Sequence, residues 1–172
     1  PSGTQEGQLV KVGPPKLGAE VREFTAAVPS PAETTSKFAG GTNEAIRAYR
    51  DQVAERLGKA GLVDVRSPGE YSGELLAPEH LPQEGAQRGG HIPTAVSIPW
   101  GTAVNTEDGT FKSVDELKEI YGGKGITSNK EVIAYCRIGE RSAHTWFVLK
   151  ELLGYPDVRN YDGSWTEWGS SI

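Results

Sequence analysis

The chain has 172 residues, enough for one domain with a genuine core, and its 18 basic and 23 acidic residues give a formal charge of -5. No basic stripe favours nucleic acid, no run approaches the roughly 18 uninterrupted apolar residues of a membrane span, and no positive-then-apolar leader opens the sequence, so a soluble cytoplasmic protein is expected. One cysteine and three scattered histidines offer neither an internal disulfide nor a structural zinc site.

Residues 1–42 are rich in Gly, Pro, Ser and Thr, with little periodicity, and read as an extended arm or inter-domain linker. The domain is expected over 43–172. At Asn43, a candidate cap, the stretch NEAIRAYRDQVAERLG places Ile46, Tyr49, Val53 and Leu57 on one helical face. GLVDVR then reads as a short strand ending in Asp64 and Arg66, and AVSIPW as a second strand stopped by Pro99. Between them SGELLAPEHLPQEGAQRGGHI has no clear period and reads as a long surface excursion, the kind that often walls a functional site. A helix SVDELKEIY follows, with Ser113 and Glu116 spaced as a capping box, then a strand EVIAY. The helix SAHTWFVLKELLG ends at Gly154, and the strand DVRNY leads to the turn and short helix DGSWTEWG. Such alternation argues an α/β domain with a mostly parallel sheet and helices on both faces.

In sheets of that kind chemistry collects beyond the carboxyl ends of the strands, and Cys136 follows EVIAY directly. The loop CRIGER must curl back to reach its helix, so successive backbone N–H groups can converge as an anion nest, with the positive end of the helix behind them. A thiolate at its mouth would have a lowered pKa, and Arg137 and Arg141 could bond an oxyanion group of a substrate. A free cysteine taken alone is most often a buried small hydrophobe; the charged, glycine-containing loop favours chemistry. Cysteine-dependent phosphatases place five residues between cysteine and arginine, whereas here the sixth residue after Cys136 is Ser142 and Arg141 comes one place early. The shorter ring suits a single terminal sulfur better than a phosphate.

The stretch CRIGERSAHTWFVLKELLGYPDVRNYDGSWTEWG closely resembles the active-site region of the second, catalytic domain of thiosulfate sulfurtransferases, the rhodanese family. The likeness extends through GGHIPTAVSIPW, NTEDGTFKSVDELKEIYG, LVDVRSPGEYSGE and EAIRAYRDQV, over roughly residues 43 to 170. It implies a three-layer domain with a central, mostly parallel five-stranded sheet. It also implies sulfur transfer from thiosulfate to cyanide or a thiol through a persulfide on Cys136, with no metal or organic cofactor. The Cys136-Arg137 opening favours thiosulfate over mercaptopyruvate, and Arg141 supplies a cation at the loop's end as in bacterial relatives. Ile138 stands where the mammalian enzyme has a lysine, and Glu70 where several members have a substrate-contacting arginine. Cys136 is thus the expected nucleophile; Arg137, Ile138, Gly139, Glu140, Arg141 and Glu70 are expected around the substrate.

Asp64, Arg66, His91, Ser142 and Trp165 are expected to support the loop. His91 is expected to fix the segment before its strand rather than act as a base, and His144 to pack or cap. Trp146 and Phe147 are expected in the core, while Trp165 and Trp168 stand equally well as core or groove lining. Two-domain members join an inactive first module to the second, and an upstream rhodanese-like domain or separate partner chain is an expected partner. The alternative to an enzyme is a partner-dependent sulfane-sulfur carrier or docking module.

Overall fold

A computed structural model describes residues 43–78, 81 and 85–171. The arm or linker expected over 1–42 lies outside the described residues. Asn43–Val104 and Lys112 onward form one compact unit; residues 105–111 group apart from it and make a turn of their own, with Asn105 N donating to Thr110 O at 2.8 Å.

The unit holds five parallel strands in the order β1-β5-β4-β2-β3: β1 (Arg47–Ala48), β2 (Gly61–Asp64), β3 (Val96–Ser97), β4 (Val132–Tyr135) and β5 (Val158–Tyr161). The helices are α1 (Arg50–Glu55), α2 (Pro68–Ser72), α3 (Val114–Gly122), α4 (Glu140–Phe147) and α5 (Ser164–Ser171). Right-handed crossovers dictate their sides. The steps β1 to β2 and β2 to β3 run one way along the sheet, whereas β3 to β4 and β4 to β5 run the other, so α1 and α2 cover one face and α3 and α4 the opposite one. Chain direction reverses between β2 and β4. The crevice at their carboxyl ends is therefore the topological switch point, where open α/β sheets hold their ligands.

Every residue of β2 and β4 is buried, as near-continuous apolar runs in the middle of a parallel sheet require. Leu62 and Ile133, paired across the ladder and each 1% exposed, contribute about 1.5–3 kcal/mol apiece by burial. Around them pack Val53, Ile92, Tyr135, Tyr161, Trp165 and Trp168.

Several elements differ from expectation. The helix expected from Asn43 is a 3-10 turn (Glu44–Ile46) followed by β1, and the α-helix begins only at Arg50. Ile46 and Tyr49 are 41% and 45% exposed, and Val53 is the buried member of that face. The edge of β5 explains the change: pairing Ala48 with Tyr161 gives the backbone a ladder in place of helical bonds, and buries Ala48 completely. The helix α4 starts at Glu140, two residues before the expected Ser142, and passes into a π-helical turn, Val148–Leu152, before Gly154. Trp146 and Phe147 are only half-buried; Val148 and Leu149 take the core positions. Trp165 and Trp168 belong to the core. The capping box at Ser113 and Glu116 forms, with Ser113 N donating to Glu116 Oε2 at 3.0 Å and Glu116 N to Ser113 Oγ at 3.4 Å.

An unforeseen helix, α2, leads into the excursion, whose two ends meet: a Cβ on Gly73, which sits at φ 90°, would lie 2.7 Å from Gly90 N. Arg66 Nη2 and Trp165 Nε1 donate to Gly90 O and Arg88 O, and Ile92 N donates to Tyr135 Oη, which holds the returning segment over the end of β4.

Candidate active site

Cys136 follows β4 at the switch point and is buried. The turn after it is made by Gly139, whose φ of 94° lies in the left-handed region, and whose missing side chain leaves room for Asp162: an added Cβ would come within 2.7 Å of Asp162 Cα. That turn aims the Gly139 N–H back at Cys136 Sγ, 3.2 Å away. Ser142, one turn into α4, brings its hydroxyl within 3.7 Å of the sulfur and 3.1 Å of Gly139 O, so its single proton can serve either acceptor. Burial pushes the Cys136 thiol up, but hydrogen bonds from the Ser142 backbone and hydroxyl and from the Ile138 and Gly139 amides outweigh it and leave the pKa lowered. The converging amides are the nest that the loop length suggested.

The N-terminus of α5 fixes the loop from behind. Trp165 N donates to Cys136 O and Thr166 N to Arg137 O, both at 3.1 Å, while Cys136 N donates to Ser164 Oγ at 3.1 Å. Ser164 also donates to Tyr161 O at 2.7 Å, and Asn160 Nδ2 donates to Gly139 O at 3.1 Å. Neither Ser164 nor Asn160 was singled out from sequence. Both lie at or just beyond the carboxyl end of β5, and the strand-end rule that located Cys136 points to them equally well.

Glu70, expected beside the substrate, is buried in α2. Ser67 N and Oγ donate to its Oε2 at 3.0 and 2.9 Å, and Arg141 spans both carboxylate oxygens from Nη1 at 3.0 Å and Nη2 at 2.9 Å. Burial raises its pKa, yet the bonds from Arg141 and Ser67 outweigh burial and hold it at about 2. Ser67-Pro68-Gly69-Glu70 is a capping box with proline at the first helical position, a signal legible in the sequence. Arg141 is pushed down by burial but raised on balance by Glu70 and by the neighbouring Cys136. Arg137 is 3% exposed and lies 3.5 Å from Glu140 Oε1. Ile138 is 44% exposed and Glu140 is exposed too, so these are the side chains that the loop turns outward.

Of the residues expected to support the loop, Ser142 and Trp165 bond it directly, whereas Asp64, Arg66 and His91 bond elsewhere. Arg66 bonds Asp64 through Nε and Nη2, with Nη2 2.7 Å from Oδ2, and lies over the rings of Tyr135 and Trp165, so the pair reaches the loop through Trp165 rather than by direct bonds. His91 stacks on Tyr71 with ring centroids 3.7 Å apart, and its Nδ1 lies 2.9 Å from Tyr71 O. His144 meets Trp100 edge-on, and burial lowers its pKa. Among the described residues no group of His, Cys, Asp and Glu side chains could hold a metal ion, and no helix is long and apolar enough to cross a membrane.

Comparison with known proteins agrees with this arrangement. The Rhodanese-like domain model matches residues 49–171. A protein of Saccharopolyspora erythraea named "Putative thiosulfate sulfurtransferase" is 55% identical over 170 residues, 99% of this chain and 60% of its own length. The "Sulfur carrier protein TtuD" of Thermus thermophilus is 52% identical over 178 residues, 99% of this chain and 61% of its own. The chain thus spans about 60% of the length of these curated relatives. Among solved structures, the anaerobic ergothioneine biosynthesis enzyme of Chlorobium limicola, in complex with trimethyl histidine, superposes with a TM-score of 0.63 at 31% identity, over 72% of this chain and 29% of that one. An EanB variant with ergothioneine covalently linked to a cysteine persulfide gives 0.68 at 30% identity, over 79% and 33%. By its sequence match, its all-parallel sheet and its cysteine loop at the switch point, the chain belongs to the rhodanese-like domain family.

Proposed function

We propose that this domain is a sulfurtransferase that moves a sulfane sulfur from thiosulfate to a thiophilic acceptor, cyanide or a thiol, through a persulfide on Cys136. The observation that carries the reading is the convergence of the Gly139 amide and the Ser142 hydroxyl on Cys136 Sγ. Donors aimed at the sulfur before charge develops stabilise the thiolate, and then the anionic outer sulfur, without reorganising. The thiolate attacks the outer sulfur of thiosulfate, the S–S bond of the donor breaks, and sulfite leaves with the electron pair of that bond. Cyanide then attacks the outer sulfur of the persulfide, thiocyanate departs, and the Cys136 thiolate returns. This is double displacement, and ping-pong kinetics follow. The attack needs no general base once Cys136 is ionised, and the donors aimed at Sγ favour that form.

The Cys136-Arg137 opening supports thiosulfate over mercaptopyruvate as donor. Arg137 is buried beside Glu140, so it acts on that choice by shaping the loop. A lone catalytic thiol suits a reducing compartment, and the cytoplasm is where we place it. The second reading is a partner-dependent sulfur carrier that holds the persulfide for an upstream rhodanese-like domain or another protein. It is favoured by the likeness to a protein named as a sulfur carrier.

Thiocyanate formation from thiosulfate and cyanide, measured alongside the intact mass of the chain, tests both. Turnover with one added sulfur on Cys136 is expected. A stable Cys136 adduct that cyanide never discharges leaves the carrier reading, and an adduct that survives Cys136→Ser removes both.

A further inference from the structure

The site's cations are not presented to solvent as bare charges. Arg141 is joined to Glu70 through two hydrogen bonds of 3.0 and 2.9 Å, and Arg137 lies 3.5 Å from Glu140. An arginine so paired acts at a distance as a dipole, whose attraction for an anion falls off faster than that of a monopole. Glu70 is not an adjustable surface partner. Its side chain is 3% exposed, Ser67 binds it from the start of α2, and both of its oxygens accept from Arg141 of α4, so the counter-charge is built into the fold. Two residues after the cysteine, the loop turns the apolar side chain of Ile138 outward.

We propose that Glu70 is a specificity-determining residue: by neutralising Arg141 it withholds a full cation from a dianionic sulfonate donor and shifts the site toward monoanionic organic persulfides. The inference rests on the Cys136 persulfide reading. Such a donor, R–S–S− in solution, reacts through its protonated form R–S–SH: the Cys136 thiolate attacks the outer sulfur, the S–S bond of the donor breaks, and the proton of the outer sulfur ends on the leaving thiol, R–SH. The outer sulfur stays on Cys136 as the same anionic persulfide that thiosulfate would give. The leaving thiol carries no sulfonate for Arg141 to hold, and its organic group can rest against Ile138. A thiosulfate dianion, by contrast, enters with two charges that the Arg141–Glu70 pair compensates only in part.

The test is single-turnover loading of Cys136, read by intact mass at increasing concentrations of thiosulfate or of cysteine persulfide, for the wild-type chain, Glu70→Gln and Glu70→Asp. A glutamine cannot keep the two-pronged pair, so Arg141 regains its full charge. In Glu70→Gln the half-saturating thiosulfate concentration is expected to fall roughly tenfold, while that for cysteine persulfide moves less than about twofold. Glu70→Asp, which keeps the charge, should retain the wild-type ratio of the two donors. Loading that persists with a thiosulfate requirement unchanged or raised in Glu70→Gln would overturn this inference alone. No loading from either donor by the wild-type chain would overturn the proposed function and this inference with it.

A measurement on the wild-type chain decides the matter without a variant. With the arginines paired and the chain at a formal charge of -5, added salt should leave the half-saturating thiosulfate concentration unchanged or lower it. A steep rise, as a bare cation would produce, would refute the counter-charge.

Discussion

Ser164 Oγ accepts a hydrogen bond from the Cys136 N–H at 3.1 Å while Ser164 itself sits at φ 53°, in the left-handed region that side chains with a Cβ avoid. Both residues are fully buried, so the Cys136 backbone is held by a strained residue that its surroundings over-determine. Loss of the hydroxyl strands the Cys136 N–H in the interior. Ser164→Ala should therefore lose about 1–3 kcal/mol in urea unfolding. Ser164→Gly loses the same bond but relieves the left-handed strain, worth about 1–2 kcal/mol, and should be the more stable of the two. The reverse order would mean that the conformation costs the protein nothing.

Gly139 offers a sharper test of the turn. An alanine there places its Cβ 2.7 Å from the backbone of Asp162, which cannot yield as a flexible side chain would, and φ 94° adds strain of its own. We expect Gly139→Ala to lose about 2 kcal/mol or more and to slow Cys136 alkylation, because the amide donated to Sγ is displaced with the turn. Wild-type stability with wild-type alkylation would show that the loop tolerates another path.

The parallel α/β fold and the position of the cysteine loop were legible in the sequence; one edge strand and the long-range partners of the site were not. A lone cysteine between a β-branched run and an apolar-periodic helix located the switch-point loop, because both the strand end and the helix start are local signals. The edge strand Arg47–Ala48 was hidden because Ile46, Tyr49 and Val53 happen to follow helical spacing, while the pairing that wins involves β5, more than a hundred residues downstream. The setting of Glu70 was hidden for a related reason. Its capping box with Ser67 is local and readable, but the partner that explains its burial, Arg141, lies 71 residues away. Ser164 carries no local signal beyond its place after a strand, since its role is a bond to a residue 28 positions earlier.

The reactivity of Cys136 should follow its donors. Because the thiol's pKa is lowered despite burial, alkylation by iodoacetamide should stay fast at pH values below the usual thiol range of about 8.5. Ser142→Ala removes the hydroxyl but keeps the backbone N–H, so the midpoint of the rate profile should move up without returning fully to the ordinary range. An unmoved midpoint would assign the lowering to the amides alone.

The Glu70–Arg141 pair predicts how stability changes in acid. The folded carboxyl is held at about 2, below its unfolded value of 4.5, so the folded state binds fewer protons between these limits. Stability from this group is complete above 4.5, shrinks as pH falls through that window, and is gone below about 2. Replacing Glu70 with glutamine leaves a partly buried Arg141 without its counter-ion and should cost about 3 kcal/mol at neutral pH. The loss should narrow steadily as both proteins are unfolded in urea at pH 5, then 4, then 3, because the wild-type protein approaches the neutral carboxyl that the variant mimics. A gap that stays constant down to pH 3 would mean that the carboxylate's charge contributes nothing and that Glu70 holds Arg141 by shape alone.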